Sequence, residues 1–73
     1  MVSTEDYNYL VSLKEDRGDL KLRVAELMRQ YGGSFVKALS ECVIRADSVN
    51  YLKLINAFEG YFLEYNPAKW VKI

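Results

Sequence analysis

Apolar residues recur at helical spacing in two consecutive stretches of this chain, and this spacing restricts its fold more than any other feature. In each stretch they follow the series i, i+4, i+7, i+8, i+11. Residues at these offsets share one face of an α-helix, so the series predict helices over 20–31 and 35–46. The members of the two series are Leu20, Val24, Leu27, Met28 and Tyr31, then Phe35, Leu39, Cys42, Val43 and Ala46.

A glycine pair separates these two helices and predicts a tight turn. Gly32 can supply a left-handed residue at the end of the first helix, because it has no Cβ. Gly33 lets the second helix turn back closely, and Ser34 is placed to cap it. The pair is therefore expected to serve the fold.

Another helix is expected before this pair, over residues 4–15. Ser3 and Asp6 resemble a capping box in its acidic variant, in which a side chain satisfies free amides of the first turn. Aromatic and β-branched residues alternate with polar ones over part of 7–13, as in a short strand. A strand over these residues is therefore the open alternative.

The last helix is predicted by an uninterrupted apolar stripe from Tyr51 to Tyr65. The stripe places this helix over 49–65. Pro67 ends it, because proline disfavours helical backbone in the residue before it. Residues 66–73 remain as a short tail.

Together these elements predict one all-α domain over residues 1–73, a compact bundle of three or four short helices. A chain of 73 residues buries only about 60% of its unfolded surface, so self-association would add stability. Its single cysteine, Cys42, lies on the predicted core face and cannot form an internal disulfide. The predicted core consists of Val24, Leu27, Phe35, Leu39, Val43, Leu54, Ile55, Phe58 and Phe62.

Composition argues against several function classes. The chain has no histidine and one cysteine, so the usual zinc sites and acid–base or nucleophile pairs lack their side chains. Ten Lys and Arg balance ten Asp and Glu, which gives no general attraction to nucleic acid or anionic membranes. Apolar runs are short, and the first residues are acidic where a signal peptide is basic. We expect a cytoplasmic, non-catalytic protein without metal, cofactor or membrane association.

Several apolar residues lie off the predicted core stripes, on three different helices. A partner surface would explain them, either against a second copy or against another protein, whereas scattered surface aliphatics are the alternative. Aromatic residues near the end of the chain suit an interface, because Tyr and Trp are apolar at one end and polar at the other. The candidate interface residues are Leu22, Ile44, Leu52, Leu63, Tyr61, Tyr65 and Trp70.

Two other functions stay open. The helices over 20–31 and 35–46 have the spacing of a helix-turn-helix, which would place Lys37 and Arg45 on the DNA-reading helix. Glu41 lies between these cations and the net charge is zero, so nucleic acid is the less favoured partner. The other alternative is a small structural or assembly protein that acts as a homo-oligomer.

A glycine pair, a helix, an Ala-Asp break and an aromatic helix follow one another from Tyr31 to Tyr65. The pattern contains Tyr31-Gly32-Gly33-Ser34-Phe35-Val36-Lys37-Ala38-Leu39-Ser40-Glu41, then Arg45-Ala46-Asp47, Asn50, Lys53-Leu54, Ala57-Phe58, Tyr61 and Tyr65. It resembles a class of short, uncharacterised proteins of bacteriophages, prophages and related mobile elements. Gly60 departs from the Pro-Glu-Tyr sequence expected after Phe58. The resemblance implies no activity or ligand, but it makes antagonism of a host protein in the host cytoplasm a specific form of the binding hypothesis.

Two pairs of substitutions separate the protein-binding and DNA-binding hypotheses. A protein-binding module should lose assembly in Ile44→Asp or Leu63→Asp, because a charge enters the apolar interface. A DNA regulator should instead lose salt-sensitive duplex binding in Lys37→Ala or Arg45→Ala. We expect the first result, measured by light scattering on a sizing column and by recovery of complexes. Unchanged mass and complexes in both aspartate variants would contradict it.

Overall fold

The computed structural model describes residues 3–15 and 19–70. Over these residues the chain is helical and has no strand, which confirms the all-α prediction and assigns residues 7–13 to a helix. The bundle measures 27 × 26 × 23 Å. The elements are α1 (Thr4–Lys14), α2 (Asp19–Tyr31), α3 (Ser34–Arg45), α4 (Ser48–Ala57), α5 (Glu59–Glu64) and a turn of 3-10 helix (Pro67–Lys69).

Side-chain caps begin α1 and α4. Ser3 Oγ accepts a hydrogen bond from the Asp6 amide at 3.1 Å, which confirms the predicted cap of the first helix. Asp47 Oδ1 accepts from the Asn50 amide at 2.8 Å in the same way. Each cap satisfies one of the amides that a first turn leaves free, and is worth about 1 kcal/mol.

Gly32 allows α2 and α3 to pack as a hairpin. A Cβ on Gly32 would lie 2.5 Å from the Met28 carbonyl oxygen and 2.6 Å from Val36 Cβ. The expected left-handed backbone at Gly32 was wrong, because its φ lies outside that region and its amide continues the α2 hydrogen bonds to Met28. Gly33 is the N-cap of α3, and the predicted cap Ser34 is its first helical residue. Close approach, not turn geometry, therefore requires glycine at position 32.

The predicted fourth helix is interrupted at Phe58. Its φ of −121° and ψ of 36° end α4, and α5 begins at the next residue. The apolar stripe did not reveal this break, because Phe58 keeps its place in the stripe. The local signal is Gly60, which weakens helix propensity just after the break.

The core was predicted in part. Val24, Leu39, Val43, Ile55 and Phe62 are buried, and Leu27, Leu54 and Phe58 are partly buried against them. Two placements were wrong, because Phe35 is 53% exposed and Cys42 is exposed. The buried face of α3 is rotated from the predicted one: it keeps Leu39 and Val43 and adds Val36 and Ser40.

Two buried tyrosine hydroxyls tie α1 to the rest of the bundle. Tyr9 donates a hydrogen bond to the Phe62 carbonyl oxygen in α5 at 2.8 Å. Tyr51 of α4 donates to the Leu13 carbonyl oxygen in α1 at 3.0 Å. Burial raises the pKa of Tyr9, and the neighbouring Tyr51 adds to the shift. The core therefore holds the Tyr9 phenol in its neutral form.

The last carbonyls of α5 all have donors, although the helix is only six residues long. The Tyr61 and Leu63 oxygens accept from the next backbone amides, those of Tyr65 and Asn66. The Phe62 oxygen accepts from Tyr9, as described above. The Glu64 oxygen accepts from Trp70 Nε1 at 3.0 Å. One side chain from α1 and one from the turn after α5 therefore complete this helix end, which a helix cannot satisfy from within.

The glycine pair offers a matched test of close packing. Gly32→Ala should lower the free energy of unfolding by about 1–3 kcal/mol, because the added methyl group overpacks the α2–α3 contact. Gly33→Ser should change it by less than about 0.5 kcal/mol, because nothing lies within 4 Å of that position and serine is a good N-cap. Urea unfolding followed by circular dichroism measures both. Equal stability of the two variants would contradict the packing argument.

The buried phenol of Tyr9 predicts a loss of stability in alkali. The unfolded chain releases the phenol proton near pH 10, whereas the folded chain retains it, so the stabilisation is complete below about pH 10 and declines above it. Tyr9→Phe should lose about 1 kcal/mol at neutral pH with the hydrogen bond, and should decline less steeply in alkali. Urea midpoints at about pH 7 and pH 11 measure this. Tyr7→Phe, which removes an exposed hydroxyl, is the control, and a decline in Tyr9→Phe as steep as in wild type would contradict the assignment.

Candidate interaction surface

An apolar groove lies between α2 and the segment that follows α5. Its volume is about 520 Å³. Leu22 is 53% exposed at one side, whereas Leu27 and Trp70 are partly buried. We call this surface the α2 groove, and its lining residues are Leu22, Arg23, Glu26, Leu27, Pro67 and Trp70.

Trp70 is held in place by three contacts. Its ring stacks on Tyr31 with a centroid distance of 4.7 Å and on Tyr65 with a distance of 5.5 Å. Its indole N–H donates to the Glu64 carbonyl oxygen, as noted above. Such stacked pairs add about 0.5–1.5 kcal/mol each to the burial of the rings. The Trp70 ring therefore folds back against Tyr31 of α2 and Tyr65 at the end of α5.

The turn that carries Trp70 is itself fixed at both ends. Asn66 Oδ1 accepts from the Ala68 amide at 3.1 Å, and Pro67 follows as the first residue of the 3-10 turn. Lys69 Nζ lies 3.6 Å from Asp6 Oδ1 in α1. The proline restricts φ and the cap satisfies an amide, so this side of the α2 groove is formed before any partner binds.

Charges of both signs border the α2 groove. Glu26 forms an ion pair with Arg29 one turn along α2. Within the described ranges, no carboxylate lies within ion-pair distance of Arg23. A partner carboxylate could therefore pair with Arg23 at the edge of the apolar surface.

A second aromatic group surrounds the break between α4 and α5. The ring centroid of Phe35 lies 5.8 Å from that of Phe58 and 5.6 Å from that of Tyr61, and the last two lie 6.3 Å apart. We call these three residues the aromatic triad. Beside it lies a pocket of about 360 Å³, which Phe58 and Tyr61 line together with Ala57, Gly60 and Glu64. Phe35 therefore packs on Phe58 and Tyr61 and not in the core.

The seven predicted interface residues do not form one surface. Leu22 and Trp70 share the α2 groove, and Tyr61 belongs to the aromatic triad. Ile44 and Leu52 are exposed on α3 and α4 but line neither of these surfaces. We therefore treat the α2 groove as the candidate site.

Leu63 and Tyr65 are placed differently from the prediction. Leu63 is partly buried against the core, and Tyr65 is buried. Both side chains lie on the side of α5 and its C-terminal end that packs against the bundle. Leu63→Asp consequently reports on core stability, and Ile44→Asp is the cleaner of the two aspartate tests proposed above.

Sequence reasoning missed most of the lining of the α2 groove. Glu26 lies one turn from Leu22, so helical adjacency could have identified it. Pro67 carried no such signal, because its place opposite α2 depends on how the end of the chain folds back. The exposure of Phe35 was also missed, because the phase of α3 was misjudged.

The two candidate DNA contacts are exposed on α3. Arg45 Nε lies 3.5 Å from Glu41 Oε2, so part of its charge is already compensated. Lys37 is exposed near the start of the helix. The helix-turn-helix function stays a prediction.

The comparisons with known proteins are negative. No family model, curated protein or solved structure matches this chain. In the part of the chain that the structure describes, no three His, Cys, Asp or Glu side chains are grouped to hold a metal ion. No helix there combines the length and apolar character that a membrane crossing requires. The resemblance to short phage proteins stays a prediction.

Proposed function

We propose that this chain is a non-catalytic protein-interaction module that holds an apolar side chain of a partner protein in the α2 groove. The observation that carries the proposal is the exposed Leu22 opposite a Trp70 ring that intramolecular contacts already hold in place. A groove formed in advance loses little conformational freedom on binding, which favours affinity. Burial of one partner Leu or Phe side chain would contribute about 1.5–3 kcal/mol.

An amphipathic helix is the partner element that this surface suits best. Such helices bind in apolar grooves through side chains one turn apart. Leu22 and Leu27 offer apolar contacts on one side, and Trp70 offers a large ring on the other. A partner carboxylate beside the apolar anchors would pair with Arg23. The resemblance to phage proteins supports a cytoplasmic host protein as the source of this helix.

Self-association is a second candidate function, and exposed aliphatic residues outside the α2 groove favour it. Ile44 is exposed on α3 and Leu52 on α4, the next helix in the sequence. Val49, which lies between them in the sequence, is also exposed. A second copy could cover such residues. A mass that rises with protein concentration in light scattering, and falls back in Ile44→Asp, would support this function.

Leu22 and Leu52 form a matched pair for testing the α2 groove. Both are exposed helical leucines, 53% and 40% exposed respectively, but only Leu22 lines the groove. Leu22→Asp should weaken partner binding about tenfold or more, because a charge replaces the apolar contact. Leu52→Asp should bind the partner like wild type. The two variants should have similar stability to each other, since both substitutions affect helix propensity equally.

Displayed 12-residue helical peptides, selected against the wild-type chain, provide the probe. Trp70 is the only tryptophan, so its emission reports occupancy of the α2 groove directly. Peptides that shift this emission in wild type and Leu52→Asp but not in Leu22→Asp would support the proposal. Selected peptides that bind Leu22→Asp as tightly as wild type would overturn it.

A further inference from the structure

We propose that the aromatic triad and Glu64 form a second binding site, which takes an arginine side chain of a partner protein. The site uses α3, α5 and the break before α5, whereas the α2 groove uses α2 and the turn after α5. The two sites share no lining residue. The proposal therefore stands apart from the function proposed above.

The pocket beside the triad joins aromatic faces to a carboxylate. Phe58, Tyr61 and Glu64 line the same pocket of about 360 Å³. Phe35 extends the aromatic surface, with its ring centroid 5.6 Å from that of Tyr61. Phe35 is 53% exposed and Tyr61 36% exposed, so ring surface is available to a ligand. The electron-rich faces of such rings attract cations.

The charged residue that lines this pocket is the negative Glu64, although the whole chain is neutral. No Lys or Arg occurs between Lys53 and Lys69, and Glu59 and Glu64 are the only charged residues in that interval. Lys69 is turned to Asp6 of α1, 3.6 Å away. In the described ranges no cation pairs with the Glu64 carboxylate.

The immediate neighbour of Glu64 does not neutralise it. Burial raises the pKa of the Tyr65 phenol, and the negative charge of Glu64 and a hydrogen bond to its carboxylate raise it further. The carboxylate therefore accepts a hydrogen bond from a neutral phenol and keeps its negative charge, and its remaining acceptor positions can meet a cation that enters the pocket. The negative charge of Glu64 therefore favours a positively charged ligand in this pocket.

Arginine fits the site better than lysine does. Its planar guanidinium stacks on an aromatic face while its N–H groups form paired hydrogen bonds to a carboxylate. The ammonium group of lysine is compact and strongly hydrated, and it has no flat face to stack on a ring and no planar pair of donors for a carboxylate. An aromatic face next to a carboxylate is the arrangement found here, with Tyr61 and Glu64 one turn apart on α5.

Three peptides of one sequence test the site. They carry arginine, lysine or citrulline at the central position, and citrulline keeps the shape of arginine without its charge. NMR titration of the full 73-residue chain follows the aromatic signals of Phe35, Phe58 and Tyr61, and those of Trp70 report on the α2 groove. We expect the arginine peptide to shift the triad signals and to bind about fivefold more tightly than the citrulline peptide.

Two matched pairs of variants assign the effect to the pocket. Glu64→Gln should weaken binding of the arginine peptide about threefold, whereas Glu5→Gln, which removes an exposed carboxylate on α1, should not. Tyr61→Ala should remove the effect on the triad signals, whereas Tyr7→Ala, at an exposed tyrosine of α1, should not. If Tyr61→Ala fails to fold, the exposed position of Glu64 leaves the first pair as the test.

Several outcomes of these titrations would contradict an arginine site. Citrulline or lysine peptides that bind as tightly as the arginine peptide would overturn the proposal. Shifts confined to Trp70, or unchanged binding in Glu64→Gln, would overturn it as well. The arginine peptide could bind selectively at the triad while no selected helical peptide binds at the α2 groove. That result would support this site and contradict only the function proposed above.

Discussion

The missing side chain at Gly32 is the constraint on which both candidate surfaces depend. It lets α2 and α3 approach until no Cβ fits between Met28 and Val36. The residue before it, Tyr31, then receives the Trp70 ring that forms one side of the α2 groove. Phe35, three residues after it, reaches the rings at the α4–α5 break. One close contact in the core thus places two aromatic groups on the surface.

The helices could be predicted because each depends on local information. Spacing identified α1 to α3 within about one residue, and the side-chain cap at Ser3 is where the sequence predicts it. The phase of α3 could not be obtained in this way, because Phe35 and Val36 are both apolar and only one faces inward. The buried position that decides it is Ser40, whose hydroxyl donates to the Lys37 carbonyl oxygen at 2.6 Å. A polar side chain whose hydrogen bond is formed within its own helix can be buried, and a pattern of apolar residues does not predict its burial.

The candidate site was predictable only on one side. Leu22 was identified because it lies off the apolar stripe of its own helix, which is a local property. Its counterpart across the groove depends on where the end of the chain packs, and no local pattern specifies that. The same difference explains Leu63, which lies off the main stripe of the last helix but is covered by the bundle. Off-stripe position predicts exposure only where no third element packs on that side.

The short α5 has a consequence for how the chain folds. A helix of six residues is too short to persist alone in water. Two of its last four carbonyls accept from side chains, one from Tyr9, which is 53 residues distant from its acceptor Phe62, and one from Trp70 after the turn that follows. These two hydrogen bonds therefore form only as the first helix and the end of the chain come together on this segment. Its amide protons should exchange with solvent through global unfolding, so protection in this one segment measures the cooperativity of the whole domain.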